Sequence, residues 1–62
     1  MTPTEAERQA VLRYEAACAA LRPGRGAESY WRDTRPLWRA LCAELERPPA
    51  EVALLVYAVR AT

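Results

Sequence analysis

The stretch that decides the fold is residues 27–46, which read AESYWRDTRPLWRALCAELE. Its apolar residues recur every three or four positions, as they do on one face of an α-helix. These positions are Tyr30, Trp31, Thr34, Leu37, Trp38, Leu41, Cys42 and Leu45. Pro36 lies in the middle of the pattern. A proline inside a helix removes one backbone hydrogen bond and clashes with the carbonyl four residues back, which here is that of Arg32.

Pro36 leaves two interpretations of this stretch. Either Asp33 and Thr34 cap a new helix with Pro36 in its first turn, or one longer helix bends at Pro36. The apolar face keeps the same register on both sides of the proline, and Pro36 itself points away from that face. A true break would have no reason to preserve the register. The pattern therefore favours one helix over residues 27–46, kinked near Pro36.

An earlier helix is predicted over residues 3–21. Thr2-Pro3-Thr4-Glu5 has the form of a capping box with proline at the first helical position, and residues 4–7 offer a second register for the same motif. Its predicted core face comprises Ala10, Val11, Tyr14, Ala17, Cys18 and Leu21. A basic residue, a proline and two glycines at 22–26 end the helix.

A third helix is predicted over residues 49–61, after Pro48-Pro49. Its first turn contains Glu51 and its last contains Arg60, as the helix dipole favours. One face comprises Val52, Leu55, Val56 and Val59. This β-branched stretch could also be a buried strand, but a lone strand would have no partner in an otherwise helical chain. We predict one all-α domain over residues 1–62, either a compact three-helix bundle or an open hairpin crossed by the third helix.

The residue inventory excludes most enzymatic chemistry. The 62-residue chain has nine arginines, no lysine, eight acidic residues and no histidine, with a formal net charge of +1. Without histidine there is no Ser–His or Cys–His pair, and without lysine there is no Schiff base. Two cysteines alone cannot complete a four-ligand zinc site within one chain. Gly24-Arg25-Gly26 matches no phosphate-binding loop. We predict a non-enzymatic protein without a metal or cofactor.

Composition also indicates an origin and a compartment. The residue types that are absent include lysine, asparagine, isoleucine and phenylalanine, all with AT-rich codons, which points to a high-GC bacterium or its phage.

The N-terminal residues lack the features of a signal peptide. The longest apolar run, residues 52–59, is far shorter than the ~20 residues that span a bilayer. We therefore predict a cytoplasmic protein with reduced cysteines.

The two cysteines also test the helix arrangement. If the first two helices form a hairpin that turns near Gly24, Cys18 lies opposite Tyr30 and Cys42 lies opposite Ala6. At a rise of about 1.5 Å per residue, the two thiols are then roughly 18 Å apart along the axis, too far for a disulfide. We predict that no intramolecular disulfide forms.

The first candidate for function is an apolar surface. If the valine-rich face of the third helix packs inward, an apolar patch stays exposed at the C-terminal end of the chain, and Leu12 projects away from the core of the first helix. The predicted partner-binding residues are Leu54, Tyr57, Ala61 and Leu12. Alternatively, the third helix lies between the other two and is core on most sides. A protein partner or a second copy would supply the core that a small chain lacks.

The second candidate is basic. One outward face of the second helix carries Arg32, Arg35 and Arg39, which Arg25 and Arg47 could extend. Arginines with Tyr30 and Trp31 nearby are typical of a surface that contacts phosphates. Against this, Glu28 and Glu46 share the face and can form ion pairs, and the net charge is low. The preferred function is thus a protein-interaction module (adaptor, accessory subunit, inhibitor or regulator), and the alternative is a small nucleic-acid-binding protein.

Overall fold

The computed structural model of the chain describes residues 2–21 and 26–61. Three α-helices follow one another in these ranges: α1 (Glu5–Leu21), α2 (Ala27–Leu45) and α3 (Pro49–Arg60). They form a small three-helix bundle, which confirms the predicted fold class. Because residues 49–60 are helical, the alternative that made this stretch a strand is wrong. None of the described helices is both long enough and apolar enough to cross a membrane.

α1 begins with a reciprocal capping box. The backbone N–H of Thr4 donates to Glu7 Oε1 over 2.9 Å, and the N–H of Glu7 donates to Thr4 Oγ1 over 3.1 Å. The helix therefore uses the second of the two predicted registers and starts at Glu5, two residues after the approximate start predicted at Pro3. In this register each of the two side chains satisfies a backbone donor of the other residue.

α2 runs from Ala27 to Leu45 without interruption, with Pro36 inside it. Thr34 is buried, and its hydroxyl donates to the carbonyl of Tyr30 over 2.9 Å. It thus bonds back into the preceding turn instead of capping a new helix, so the capping interpretation is wrong and the single helix is confirmed. The exposed position of Pro36 places the lost backbone hydrogen bond on the solvent side.

The C-terminus of α2 is closed by a Schellman motif. The N–H of Arg47 donates to the carbonyl of Cys42 over 3.3 Å, and the N–H of Glu46 donates to that of Ala43 over 3.2 Å. Glu46 takes the left-handed conformation, with φ 53° and ψ 44°. Glycine is the usual residue at this position, since an L side chain is strained there. The turn into α3 therefore carries a small backbone strain at Glu46.

The core lies between all three helices. It is built around a cluster of buried residues, namely Ala10, Val11, Leu41, Val52, Val56 and Val59, and Leu55 and Cys18 are buried as well. The predicted inner face of α3 is thus buried in full. Cys18 and Cys42 are free thiols, the first buried and the second half-buried. The alternative in which α3 is core on most sides is wrong, because its opposite face is exposed.

Trp31 departs from the predicted core face of α2, because 68% of its surface is exposed. α3 follows the C-terminus of α2 and is 12 residues long, against 19 for α2. At about 1.5 Å per residue, α3 is too short to reach the first turns of α2. Trp31 lies in those turns, so no third helix covers it and its assignment to the core is wrong.

Ion pairs join the helices at the surface. Arg60 Nε lies 2.6 Å from Glu15 Oε1, which ties the end of α3 to α1, and Arg13 pairs with Glu44 across α1 and α2. Arg47 lies 3.0 Å from Glu7 and 3.3 Å from Glu51. Its guanidinium therefore joins the starts of α1 and α3, and the prediction that Arg47 extends the arginine face of α2 is wrong.

Candidate interaction surfaces

One side of α3 is exposed and uncharged. Leu54 is 58% exposed and Tyr57 is 74% exposed. We define the α3 outer face as the exposed residues on this side, which are Ala50, Ala53, Leu54, Tyr57 and Ala61. Arg60 is exposed beside this face, but its guanidinium is hydrogen-bonded to Glu15 on α1. The face therefore presents an apolar strip whose nearest arginine is already neutralised.

The residues of the α3 outer face have the spacing of a helix-packing seam. Ala50, Leu54, Tyr57 and Ala61 are four, three and four positions apart. The same alternation separates the a and d positions through which paired helices contact each other in coiled coils. Ala61 follows the last residue of α3 with helical φ and ψ of −76° and −12°, so it continues the strip. The strip can thus accept a second helix along its length.

Leu12, the fourth predicted partner-binding residue, lies on α1. It is 40% exposed and therefore faces solvent, as predicted. Residues three positions apart are neighbours on a helix, so Leu12 lies beside Glu15, which binds Arg60 at the end of α3. The structure brings Leu54, Tyr57 and Ala61 onto one face of one helix and places Leu12 on the neighbouring helix.

The predicted basic residues lie together on α2. Arg32, Arg35 and Arg39 are exposed and line a groove with Trp31 and Pro36. Among the side chains that the structure describes, neither Arg35 nor Arg39 forms an ion pair with an acidic group. Glu46, which was expected to offset their positive charge, forms no ion pair with Arg35 or Arg39 among the same described side chains. Arg25 and the side chain of Glu28 lie outside the described part of the chain.

A second groove opens between α1 and α2. It has a volume of about 400 Å³ and is lined by Tyr14, Trp31, Thr34, Arg35 and Trp38. The rings of Tyr14 and Trp38 lie 5.7 Å apart at 60°, a tilted aromatic contact. Burial raises the pKa of the Tyr14 phenol, and a hydrogen bond with Cys18 raises it further by a smaller amount. The phenol therefore ionises only at a higher pH than an ordinary tyrosine does.

The apolar periodicity did not predict this aromatic groove, because Tyr14, Trp31 and Trp38 all fall on the apolar faces that were expected to form the core. The signal that could have revealed it is length: the first two helices were predicted at about 20 residues each and the third at 13. A short third helix leaves one end of the hairpin uncovered. Large aromatic residues at that end then line a groove open to solvent.

No metal-binding arrangement accompanies these surfaces in the described ranges, where no group of three or more cysteine or acidic side chains comes together. Comparison with protein-family models, with curated proteins and with solved structures finds no significant match. The indications of function are therefore two surfaces, the α3 outer face and the exposed arginines of α2, which are Arg32, Arg35 and Arg39.

Proposed function

We propose that the protein is a small non-enzymatic interaction module that binds a protein partner, or a second copy of itself, through the α3 outer face. Its roles would be those of an adaptor, accessory subunit, inhibitor or regulator. The observation that carries the proposal is the exposure of Leu54 and Tyr57 on a helix face without a charged residue. Large apolar side chains grouped in this way are typical of association sites.

Energetics support binding at this face. Removing a leucine or a similar large apolar side chain from water is worth about 1.5–3 kcal/mol. Tyr57 adds a phenol that can hydrogen-bond at the edge of an interface while its ring is buried, a property that enriches tyrosine in interfaces. Ala50, Ala53 and Ala61 are small and let a partner backbone approach closely.

The surroundings of the α3 outer face support presentation without rearrangement. The start of α3 is linked through Arg47 to Glu7 on α1 and to Glu51. The end of α3 is linked through Arg60 to Glu15. With both ends attached and Val52, Leu55, Val56 and Val59 buried, the face is already ordered, which lowers the entropic cost of binding.

The test compares charge substitutions on two exposed surfaces. Leu54→Glu and Tyr57→Glu each place a carboxylate on the α3 outer face, and Ala20→Glu is the control at an exposed position on α1. Sedimentation equilibrium over a concentration series measures self-association, and quantitative capture of proteins from a cell lysate compares binding of other partners.

We expect association in at least one of these two assays, weakened by Leu54→Glu and Tyr57→Glu and unchanged by Ala20→Glu. Association in neither assay contradicts the proposal. Equal weakening by all three substitutions contradicts it as well, because the interaction would then not be specific to α3.

A further inference from the structure

One ridge of α2 combines an exposed aromatic ring with two arginines. Trp31, Arg35 and Arg39 are each four residues apart, so they follow one another along the helix at steps of about 6 Å. All three are exposed. Trp31 and Arg35 also line both grooves of this region, the aromatic one towards Tyr14 and Trp38 and the basic one towards Pro36 and Arg39.

The charges on this ridge are available to a ligand. In the described part of the chain, Arg35 and Arg39 bind no carboxylate, whereas Arg13, Arg47 and Arg60 are all held in ion pairs. Two unpaired guanidinium groups on one ridge favour an anionic occupant, because each can contact phosphate or carboxylate oxygens through several N–H donors.

We infer that this ridge binds single-stranded nucleic acid, with a base stacked on the indole of Trp31 and neighbouring phosphates held by Arg35 and Arg39. Aromatic stacking beside a positively charged groove is how proteins bind single strands without reading their sequence. This surface lies on α2 and does not involve the α3 outer face. Binding of nucleic acid at this ridge is therefore independent of protein binding at the α3 outer face.

The exposed indole of Trp31 favours nucleic acid over an acidic peptide as the ligand of this ridge. Arginines alone would serve a peptide carboxylate, whereas the flat exposed ring of Trp31 offers a surface that every nucleobase can stack on. It also decides between single and double strands. Bases in a duplex are stacked on each other, so the ring of Trp31 could reach their faces only at the cost of unstacking neighbouring base pairs. Unpaired bases can be splayed out against the ring and therefore fit this ridge better.

The experiment measures fluorescence anisotropy of a labelled oligothymidylate of about 12 nucleotides, within the usual range of single-strand site sizes. Titrations of the full chain at salt concentrations from about 50 to 200 mM give the salt dependence of binding. A duplex of the same length and a labelled polyglutamate are titrated in parallel. The variants are Trp31→Ala, Arg35→Ala and Arg39→Ala, with Arg13→Ala as a control that removes an arginine outside the ridge.

We expect the single strand to bind more tightly than the duplex or polyglutamate. Arg35→Ala and Arg39→Ala each reduce the steepness of log K against log salt by about 0.7, the value for one phosphate contact with a single strand. Trp31→Ala weakens binding by about 5- to 150-fold, as loss of one stacked base does, and leaves the salt dependence unchanged. Arg13→Ala has little effect.

Three results would overturn the inference. The first is no binding of the single strand at the lowest salt. The second is binding of polyglutamate at least as tight as that of the oligonucleotide, which would assign the ridge to an acidic protein. The third is equal loss in Arg13→Ala and in the ridge variants, which would mean unspecific attraction to charge. Circular dichroism of each variant checks that it is folded, which is expected because the substituted positions are exposed.

Discussion

Arg60 donates two hydrogen bonds to the carboxylate of Glu15. The distance from Nε to Oε1 is 2.6 Å, and the distance from Nη2 to Oε2 is 3.2 Å. This pairing attaches the last turn of α3 to α1. It also pairs the charge of Arg60 beside the α3 outer face with a carboxylate, while the arginine side chain stays 65% exposed. The ion pair thus adds to the core packing that holds α3, and it compensates the charge of the arginine beside its exposed side.

The Arg60–Glu15 pair is expected to contribute modestly to stability. Exposed ion pairs are worth about 0.2–1 kcal/mol, and bidentate geometry favours the upper part of that range. A double-mutant cycle with Arg60→Ala and Glu15→Ala, measured by urea denaturation, should give a coupling energy in this range that shrinks at high salt. Zero coupling at low salt would show that the pair does not hold α3.

The strained residue Glu46 gives a second prediction. Glu46→Gly should stabilise the protein by about 1 kcal/mol, because glycine adopts the left-handed conformation without the steric cost of a Cβ atom. Glu46→Ala is the control, since it removes the carboxylate but retains the Cβ atom. Urea denaturation of both variants measures the difference. Equal stability of the glycine and alanine variants would contradict the strain at this position.

The capping box of α1 predicts the cost of losing its hydroxyl. Thr4→Ala removes the acceptor for the Glu7 N–H, which should destabilise the protein by about 1 kcal/mol, the usual cost of losing a helix cap. Thr4→Ser keeps the acceptor and should be close to the wild type. Thermal or urea unfolding compares the two variants, and equal destabilisation by both would contradict the capping role.

Glu7 makes stability depend on pH. The hydrogen bond from the Thr4 backbone amide, with a smaller effect of Arg47, lowers the pKa of the Glu7 carboxyl in the folded state below its ordinary value of 4.5. Its contribution is therefore complete above that value and is lost as pH falls through the lowered pKa. Unfolding measured from pH 6 to pH 2 should decline less steeply in Glu7→Gln than in the wild type. An identical pH dependence would contradict the assignment.

The different environments of the two tryptophans give a further prediction. Trp31→Ala should change stability by less than about 0.5 kcal/mol, because the indole is mostly exposed. Trp38→Ala should cost clearly more, since Trp38 packs on the core and on Tyr14. Acrylamide should quench the emission of Trp31 more than that of Trp38. The two emissions are measured separately in Trp38→Phe and Trp31→Phe, each of which retains one tryptophan. Stronger quenching of Trp38 than of Trp31 would contradict the exposure of Trp31 and would indicate that it lies in the core.

Local patterns in the sequence were sufficient to predict the helices. The unbroken register across Pro36 indicated one helix, and the Thr4–Glu7 motif was present as one of two possible starts. The inner and outer sides of α3 were also predictable, because Val52 and Leu54 lie on opposite sides of any helix.

Tertiary arrangement explains what the sequence did not predict. Trp31 belongs to the apolar face of α2 by spacing, and only the reach of α3 leaves it exposed. Arg47 is close to the arginine face in sequence, but the Schellman turn at Glu46 directs the chain away, and its side chain meets Glu7 from the other end of the chain. Both outcomes depend on contacts between residues far apart in sequence.

The most direct test of the central claim is site-specific photocrosslinking. A photoreactive amino acid at Ala53, on the α3 outer face, is compared with the same residue at Ala20, an exposed position on α1. In cell lysate, and with purified protein alone, adducts are separated by gel electrophoresis and identified by mass spectrometry. We predict defined adducts, with a second copy or a partner protein, from position 53 and not from position 20. No adduct from position 53, or equal adducts from both positions, would contradict the claim that α3 presents the binding surface.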